Sequence, residues 1–180
     1  AGPNTIDSKK ACEKGIFVSN TPGKNGIAVA ELAMGLLISI DRKIPDNVFD
    51  LRNKSWNKKR YSESQGLYGR NIGIVGLGAI GYAFAKRAAV FGLHIYAVDP
   101  VAEEIINAPW ITFCKDIFML ADKCDIFSFH VPSIPETKGM INKKFLDRVK
   151  PNSIIINTSR GDIIVDEDLI CAIQNKNIFV

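Results

Sequence analysis

Gly76, Gly78 and Gly81 directly follow an apolar run at residues 72–75, and Asp99 closes a second apolar run eighteen positions after the last of these glycines. A glycine at 76 permits a tight turn from strand to helix. One at 78 lets the backbone approach a pyrophosphate, and one at 81 lets the helix pack close to its strand. The negative charge of such a ligand would meet unpaired amides at the helix N-terminus. Asp99 could accept hydrogen bonds from both hydroxyls of a ribose, and the same carboxylate would repel a 2′-phosphate. Strand, glycines, helix, second strand and terminal acid in this order predict a dinucleotide site that prefers NAD to NADP.

Arg160 is the second candidate for chemistry. A fifth apolar run at residues 153–156 leads into Asn157-Thr158-Ser159-Arg160-Gly161. In an open parallel sheet, ligands bind beyond the carboxyl ends of the strands, which places Arg160 on the cofactor edge. A guanidinium there can clamp a carboxylate through two parallel hydrogen bonds and polarise a neighbouring carbonyl as hydride adds to its carbon. The alternative is a surface arginine paired with Asp162 or Asp166. His130 closes the fourth apolar run. Histidine can serve as a general acid, but the favoured reading is a packing and hydrogen-bonding residue beneath the cofactor. His94 falls near the start of the second strand, far from that edge, and reads as structural. Thr137 could cap a helical turn.

These residues need a scaffold. From residue 71 onward, strand-like runs at 71–76, 93–98, 110–113, 125–129 and 152–156, with another beginning at 178–180, alternate with helical stretches at 79–91, 115–121, 142–149 and 166–174. The pattern predicts an α/β fold, a Rossmann-type doubly wound parallel sheet with helices on both faces. Before it, residues 16–18 read as a short strand and residues 27–43 as one long helix. The apolar residues of that helix, among them Val29, Leu32, Leu36 and Ile40, cover almost its whole circumference, so it must be covered on more than one side. Residues 44–70 read as a polar, irregular arm with Trp56 and Tyr61 as anchors, suited to wrapping over a partner.

Composition sets the outer limits. The 180 residues are 47% hydrophobic and 23% charged with a formal charge of +4, as expected of one ordinary soluble globular domain. The longest nearly apolar run, residues 28–40, contains Glu31 and is too short to cross a membrane. No signal peptide is evident. The basic cluster Arg52, Lys54, Lys58, Lys59 and Arg60 lacks any recognition-helix or aromatic-strand pattern, so it reads as a solvated loop and no nucleic-acid partner is expected. Cys12, Cys114, Cys124 and Cys171 form no C-x-x-C pair and have only two histidines beside them. This argues against a metal site and against a disulfide framework, and fits a reducing, cytoplasmic setting.

Several motifs in order resemble the NAD-dependent D-isomer-specific 2-hydroxyacid dehydrogenases. They are Gly2 with Asn4-Thr5-Ile6-Asp7, the segment 15–22, Ala28-Val29-Ala30-Glu31, residues 69–78, Phe91-Gly92 through Asp99-Pro100, His130-Val131-Pro132, Thr137, and Asn157-Thr158-Ser159-Arg160-Gly161. The resemblance implies hydride transfer between C4 of a nicotinamide and C2 of a small 2-hydroxy or 2-keto acid, of phosphoglycerate, hydroxypyruvate or glyoxylate type. It implies that Arg160 is the catalytic arginine on the substrate carboxylate and carbonyl, and that Gly2 contributes a backbone amide to that carboxylate. It assigns cofactor binding to Gly76, Leu77, Gly78, Ala79, Ile80, Gly81, Asp99, Pro100, His130, Val131, Pro132, Thr137, Thr158 and Ser159. His130 then belongs to the H-x-P element beside the cofactor and is not the catalytic histidine. It also implies a homodimer formed through helix 27–43 and arm 44–70.

The family's catalytic glutamate and histidine fall after Val180. The chain is therefore expected to comprise a remnant of the substrate domain at 1–26, a linker helix and dimerisation arm at 27–70, and an NAD-binding core at 71–180 that is truncated at its C-terminal end and inactive alone. Pro3 and Asn4 depart from the usual small residue and aspartate. An NAD-sensing, corepressor-like binding protein of the same fold is the alternative.

Overall fold

The computed structural model describes residues 6–180. In chain order the elements are α1 (Ser8–Glu13), α2 (Gly26–Asp41), α3 (Ile44–Arg52), α4 (Lys58–Tyr61), β1 (Asn71–Val75), α5 (Ala79–Val90), β2 (His94–Val98), α6 (Ala102–Ile105), β3 (Ile111–Phe113), α7 (Ile117–Lys123), β4 (Ile126–Phe129), α8 (Lys143–Arg148), β5 (Ile154–Asn157) and α9 (Asp166–Lys176), with a 3-10 turn at Gly161–Ile163 before the last helix. The strands form one sheet in the order β3-β2-β1-β4-β5. Every pairing in it is parallel.

Strand side chains alternate between two buried layers, which is why these runs are apolar without polar alternation. Ile72, Ile74, Ile126, Ile154 and Ile156 share one core with Phe84, Ala85 and Ala88 of α5 and Ala30, Ala33 and Leu37 of α2. Val75, Phe127, Phe129 and Ile155 share the other with Leu120 of α7, Phe145 and Leu146 of α8, and Ala172 of α9. Helices thus cover both faces, as a doubly wound sheet requires. The long helix α2 lies in the same core as the strands. Arg87 of α5 bonds Glu31 of α2 at 2.9 Å, and Arg70, just before β1, bonds the buried Asp41 at 3.3 Å.

Three expectations need correction. Residues 16–18 form no strand, and Phe17 stands fully exposed with no strand beside it among the described residues. The arm at 44–70 is not irregular, because it contains α3 and α4. Pro45 at the start of α3 presets φ, Asp46 meets the positive end of the helix dipole and Arg52 the negative end. Arg60 and Tyr61 of α4 both bond the Asp50 carboxylate of α3, which joins the two helices. Trp56 is no anchor, being 76% exposed. At the far end, residues 178–180 contribute a single bridge, Phe179 beside Ile154, with Ile155 N–H donating to the Phe179 carbonyl at 2.8 Å.

Candidate functional site

Strand register assembles the site. Val75 of β1 pairs with Val98 of β2 and with Phe129 of β4, and Phe129 pairs with Asn157 of β5. Four strands therefore end in one row, and the residues just beyond them share one edge. Gly76, Asp99, His130 and Thr158 are those residues. β1 has β2 on one side and β4 on the other, so the crevice at the topological switch point opens at Gly76.

The glycine loop is tightly fitted. Gly76 has φ of 89°, and a Cβ there would lie 2.7 Å from the His130 carbonyl oxygen and 3.0 Å from Val131 Cγ1. A Cβ on Gly81 would overlap the Gly76 carbonyl oxygen. Gly78 differs: a Cβ there would meet nothing within 4 Å, so the loop is open on the side facing away from the sheet. Ala79 and Ile80 start α5, whose first amides lack intrahelical partners. A loop closed below and open above, at the N-terminus of a twelve-residue helix, fits a pyrophosphate.

Asp99 is bound into this loop. One carboxylate oxygen accepts the Leu77 N–H at 2.8 Å, and the other accepts the N–H groups of Val101 at 3.0 Å and Ala102 at 2.9 Å. Burial works against its charge, but the three amides outweigh that and hold the carboxyl below the usual range. A carboxylate has about four lone-pair directions. A ribose bound here would share oxygens already engaged with amides. Pro100 follows, exposed, and turns the chain towards α6.

His130 is packed under the start of α5, its ring 5.2 Å from that of Phe84. Its Nε2 lies 2.9 Å from the Ser128 hydroxyl, while Nδ1 is buried without a partner. Burial pushes its pKa down to about 4. Val131 and Pro132 lead into a turn tied by Thr137, whose hydroxyl accepts the Ile134 N–H at 3.0 Å and donates to the Pro132 carbonyl at 2.5 Å. Thr158 Oγ1 is also buried and unpaired. Unsatisfied buried groups are uncommon in folded proteins, and two of them flank this edge.

Arg160 is exposed just past β5, its guanidinium donating to the Ser159 carbonyl at 2.8 Å. Among the described residues it makes no ion pair with Asp162 or Asp166. Asp162 instead bonds Ser133 and lies 3.8 Å from the Lys138 amine. His94 is exposed at the first residue of β2, on the opposite edge. Gly2 lies outside the described residues, and no group of three metal-ligating side chains occurs among those described.

One residue of the site, Ser128, escaped the sequence reading, and so did the role of another, Asn157. Ser128 is the one polar residue in the buried strand β4, and that oddity was a usable signal. Asn157 opens the motif that carries Arg160, and its side chain joins Ser159 to Arg160, a role that the motif's residue types alone do not reveal.

Known proteins place the chain. Residues 34–180 match the family described as D-isomer specific 2-hydroxyacid dehydrogenase, NAD binding domain. D-3-phosphoglycerate dehydrogenase of Methanocaldococcus jannaschii is 36% identical over 98% of this chain and 34% of its own length. Glyoxylate reductase of Thermococcus litoralis is 39% identical over 96% of this chain and 54% of its own. The apo-structure of D-lactate dehydrogenase from Escherichia coli superposes with a TM-score of 0.89 at 29% identity, covering 99% of this chain and 56% of that one. The chain thus spans a third to about half of the length of these relatives.

Proposed function

Because the chain belongs to the D-isomer-specific 2-hydroxyacid dehydrogenase family and to its NAD-binding domain, we propose that the full-length protein interconverts a small 2-hydroxy acid and its 2-keto acid with NAD(H). The observation that carries this reading is the shared row of strand ends, which brings the glycine loop, Asp99, the His130 turn and the Arg160 loop to one edge. NADH, when bound, supplies the hydride for C2 of the acid.

Everything else falls to side chains and amides. The amides of Leu77, Gly78, Ala79 and Ile80, with Gly76 and Gly81 allowing close approach, hold the pyrophosphate. Asp99 and Pro100 flank the adenosine ribose, and the Asp99 charge disfavours a 2′-phosphate. Val131, Pro132, Thr137, Thr158 and Ser159 shape the nicotinamide side. Arg160 holds the substrate carboxylate through its fork and stabilises negative charge growing on the C2 oxygen, and Gly2 adds an amide to the same carboxylate.

The proton for that oxygen needs another source. Arginine stays charged near neutral pH. His130 is already neutral there, with its pKa pushed down to about 4 and its Nε2 beside Ser128. His94 is on the wrong edge. In line with the family resemblance, we place the acid–base group outside these 180 residues, which taken alone should bind cofactor without turnover.

We read the basic cluster around Arg60 as a solvated surface, since Arg60 pairs with Asp46 and Asp50, and expect no nucleic-acid partner. No helix of the described residues is long and apolar enough to cross a membrane. The four free thiols suit a reducing, cytoplasmic setting.

The test is turnover of glyoxylate, hydroxypyruvate and phosphohydroxypyruvate with NADH by the full-length protein and its Arg160→Lys variant. Lysine keeps the charge and loses the fork, so kcat should fall by about 100-fold or more while NADH affinity holds. A modest change in kcat would return Arg160 to an ordinary surface residue.

A further inference from the structure

Asn157 stands between the rigid sheet and Arg160. It is the last residue of β5, held in register with Phe129 of β4. Its Oδ1 accepts the Ser159 N–H at 3.0 Å and the Ser159 hydroxyl at 2.7 Å. Its Nδ2 donates to the Arg160 carbonyl at 2.8 Å. The guanidinium returns to the Ser159 carbonyl at 2.8 Å, so the hydrogen bonds that fix Arg160 all lead back to Asn157 or to the residue Asn157 holds. Beyond Arg160 the chain is pinned again, because Ile163 is buried and its carbonyl accepts the Ile141 N–H at 2.9 Å. Residues 158–162 are thus suspended between two fixed points, and one side-chain amide braces the stretch at Ser159 and Arg160.

We propose that Asn157 is a positioning residue for substrate binding, holding the 158–160 loop so that the Arg160 guanidinium meets the substrate carboxylate in its two-bond geometry. The inference rests on the role given to Arg160 above. The brace needs an acceptor and a donor on one short side chain. Aspartate lacks the donor and sets a negative charge against the Arg160 carbonyl. Glutamine carries the same groups one methylene too far out, and serine offers a single atom. A clamp that works by orientation is sensitive to its support, and a displacement of about 1 Å can cost about 100-fold in rate. The glycine loop and Asp99 belong to β1, α5 and the end of β2, so the pyrophosphate and adenosine end of the cofactor site does not depend on this brace, which reaches the cofactor only through Thr158 and Ser159 on the nicotinamide side.

In the full-length protein, with NADH and glyoxylate or hydroxypyruvate, Asn157→Ala should lower kcat/KM by about 100-fold with a far smaller change in the NADH Kd. In an Arg160→Ala background the same substitution should cost nothing further, because the group it supports is gone. Asn157→Asp, an isostere that leaves no cavity, should lose kcat/KM in the same direction and carries the test if the alanine variant does not fold. Wild-type kcat/KM in either variant, or the full loss repeated in the Arg160→Ala background, would overturn the proposal. If the wild-type protein turns over neither acid, the dehydrogenase reading fails, and a crystal structure of Asn157→Asp then decides the brace by itself. A guanidinium displaced by about 1 Å or more supports positioning, and an unmoved one overturns it.

Discussion

Asp99 serves the site with both oxygens, one on the glycine loop and one on the first amides after β2. In the proposed role of ribose-binding acid, Asp99 would link the two halves of the cofactor site, since it already holds the glycine loop. Asp99→Ala should therefore weaken NADH binding and raise the NADPH-to-NADH affinity ratio, since acceptor and repulsion vanish together. Titration with both cofactors measures this, and an unchanged ratio would remove Asp99 from the discrimination. Loss of the bonds from Asp99 to three backbone amides should also cost about 1 kcal/mol of stability. The sign of its pH dependence follows from a carboxyl held low in the fold. The stabilisation is complete above the unfolded value of about 3.9 and is lost as pH falls through the lower folded value. Denaturation of wild type and Asp99→Asn should differ by a constant amount at neutral pH and converge in acid.

At the scale of elements, the contact between β1, its loop and α5 has no slack. Gly81 meets the Gly76 carbonyl, and His130 fills the space below. Gly81→Ala must push α5 off β1, with a cost of about 1–3 kcal/mol typical of overpacking and a loss of NADH binding beyond what that destabilisation explains. Calorimetry and cofactor titration on the same sample check it, and near-wild-type affinity would mean that the loop relaxes freely. Such contacts were legible in the sequence because their cause is local: glycine spacing and unbroken apolar runs translate directly into a strand, a turn and a helix. The strands could be read for the same reason, most plainly β1, β4 and β5, which are buried on both faces. The arm was not legible, because Asp50 bonding both Arg60 and Tyr61 is a contact between helices that no period or composition reveals. Residues 16–18 misled in the opposite way, being apolar in type without a strand to pair with. The Asn157 brace was invisible because one asparagine at a strand end is common, and its meaning lies in three distances.

For the whole molecule, the open question is what covers the surface that the sheet does not use. α2 buries Ala30, Ala33, Met34 and Leu37 against the core but leaves Leu32 56% exposed. α3 leaves Phe49 68% exposed, and Ile27, Ile44, Val48 and Leu51 add to the same stretch of chain. Exposed apolar groups strung along two consecutive helices suit an interface between two copies of the protein. Interfaces of standard size bury about 1,600 Å² in total, and each Å² of apolar surface removed from water contributes about 25 cal/mol before the costs of association. The glycine loop and Asp99 draw no residue from this surface, so assembly and cofactor binding should separate. The full-length protein is therefore expected to sediment as a dimer at tens of micromolar. Leu32→Glu combined with Phe49→Glu should convert it to monomer with NADH affinity retained, since two buried carboxylates per protomer would face desolvation without a partner. A wild-type monomer, or a dimer untouched by both charges, would place the interface elsewhere and leave these side chains as ordinary exposed apolar surface.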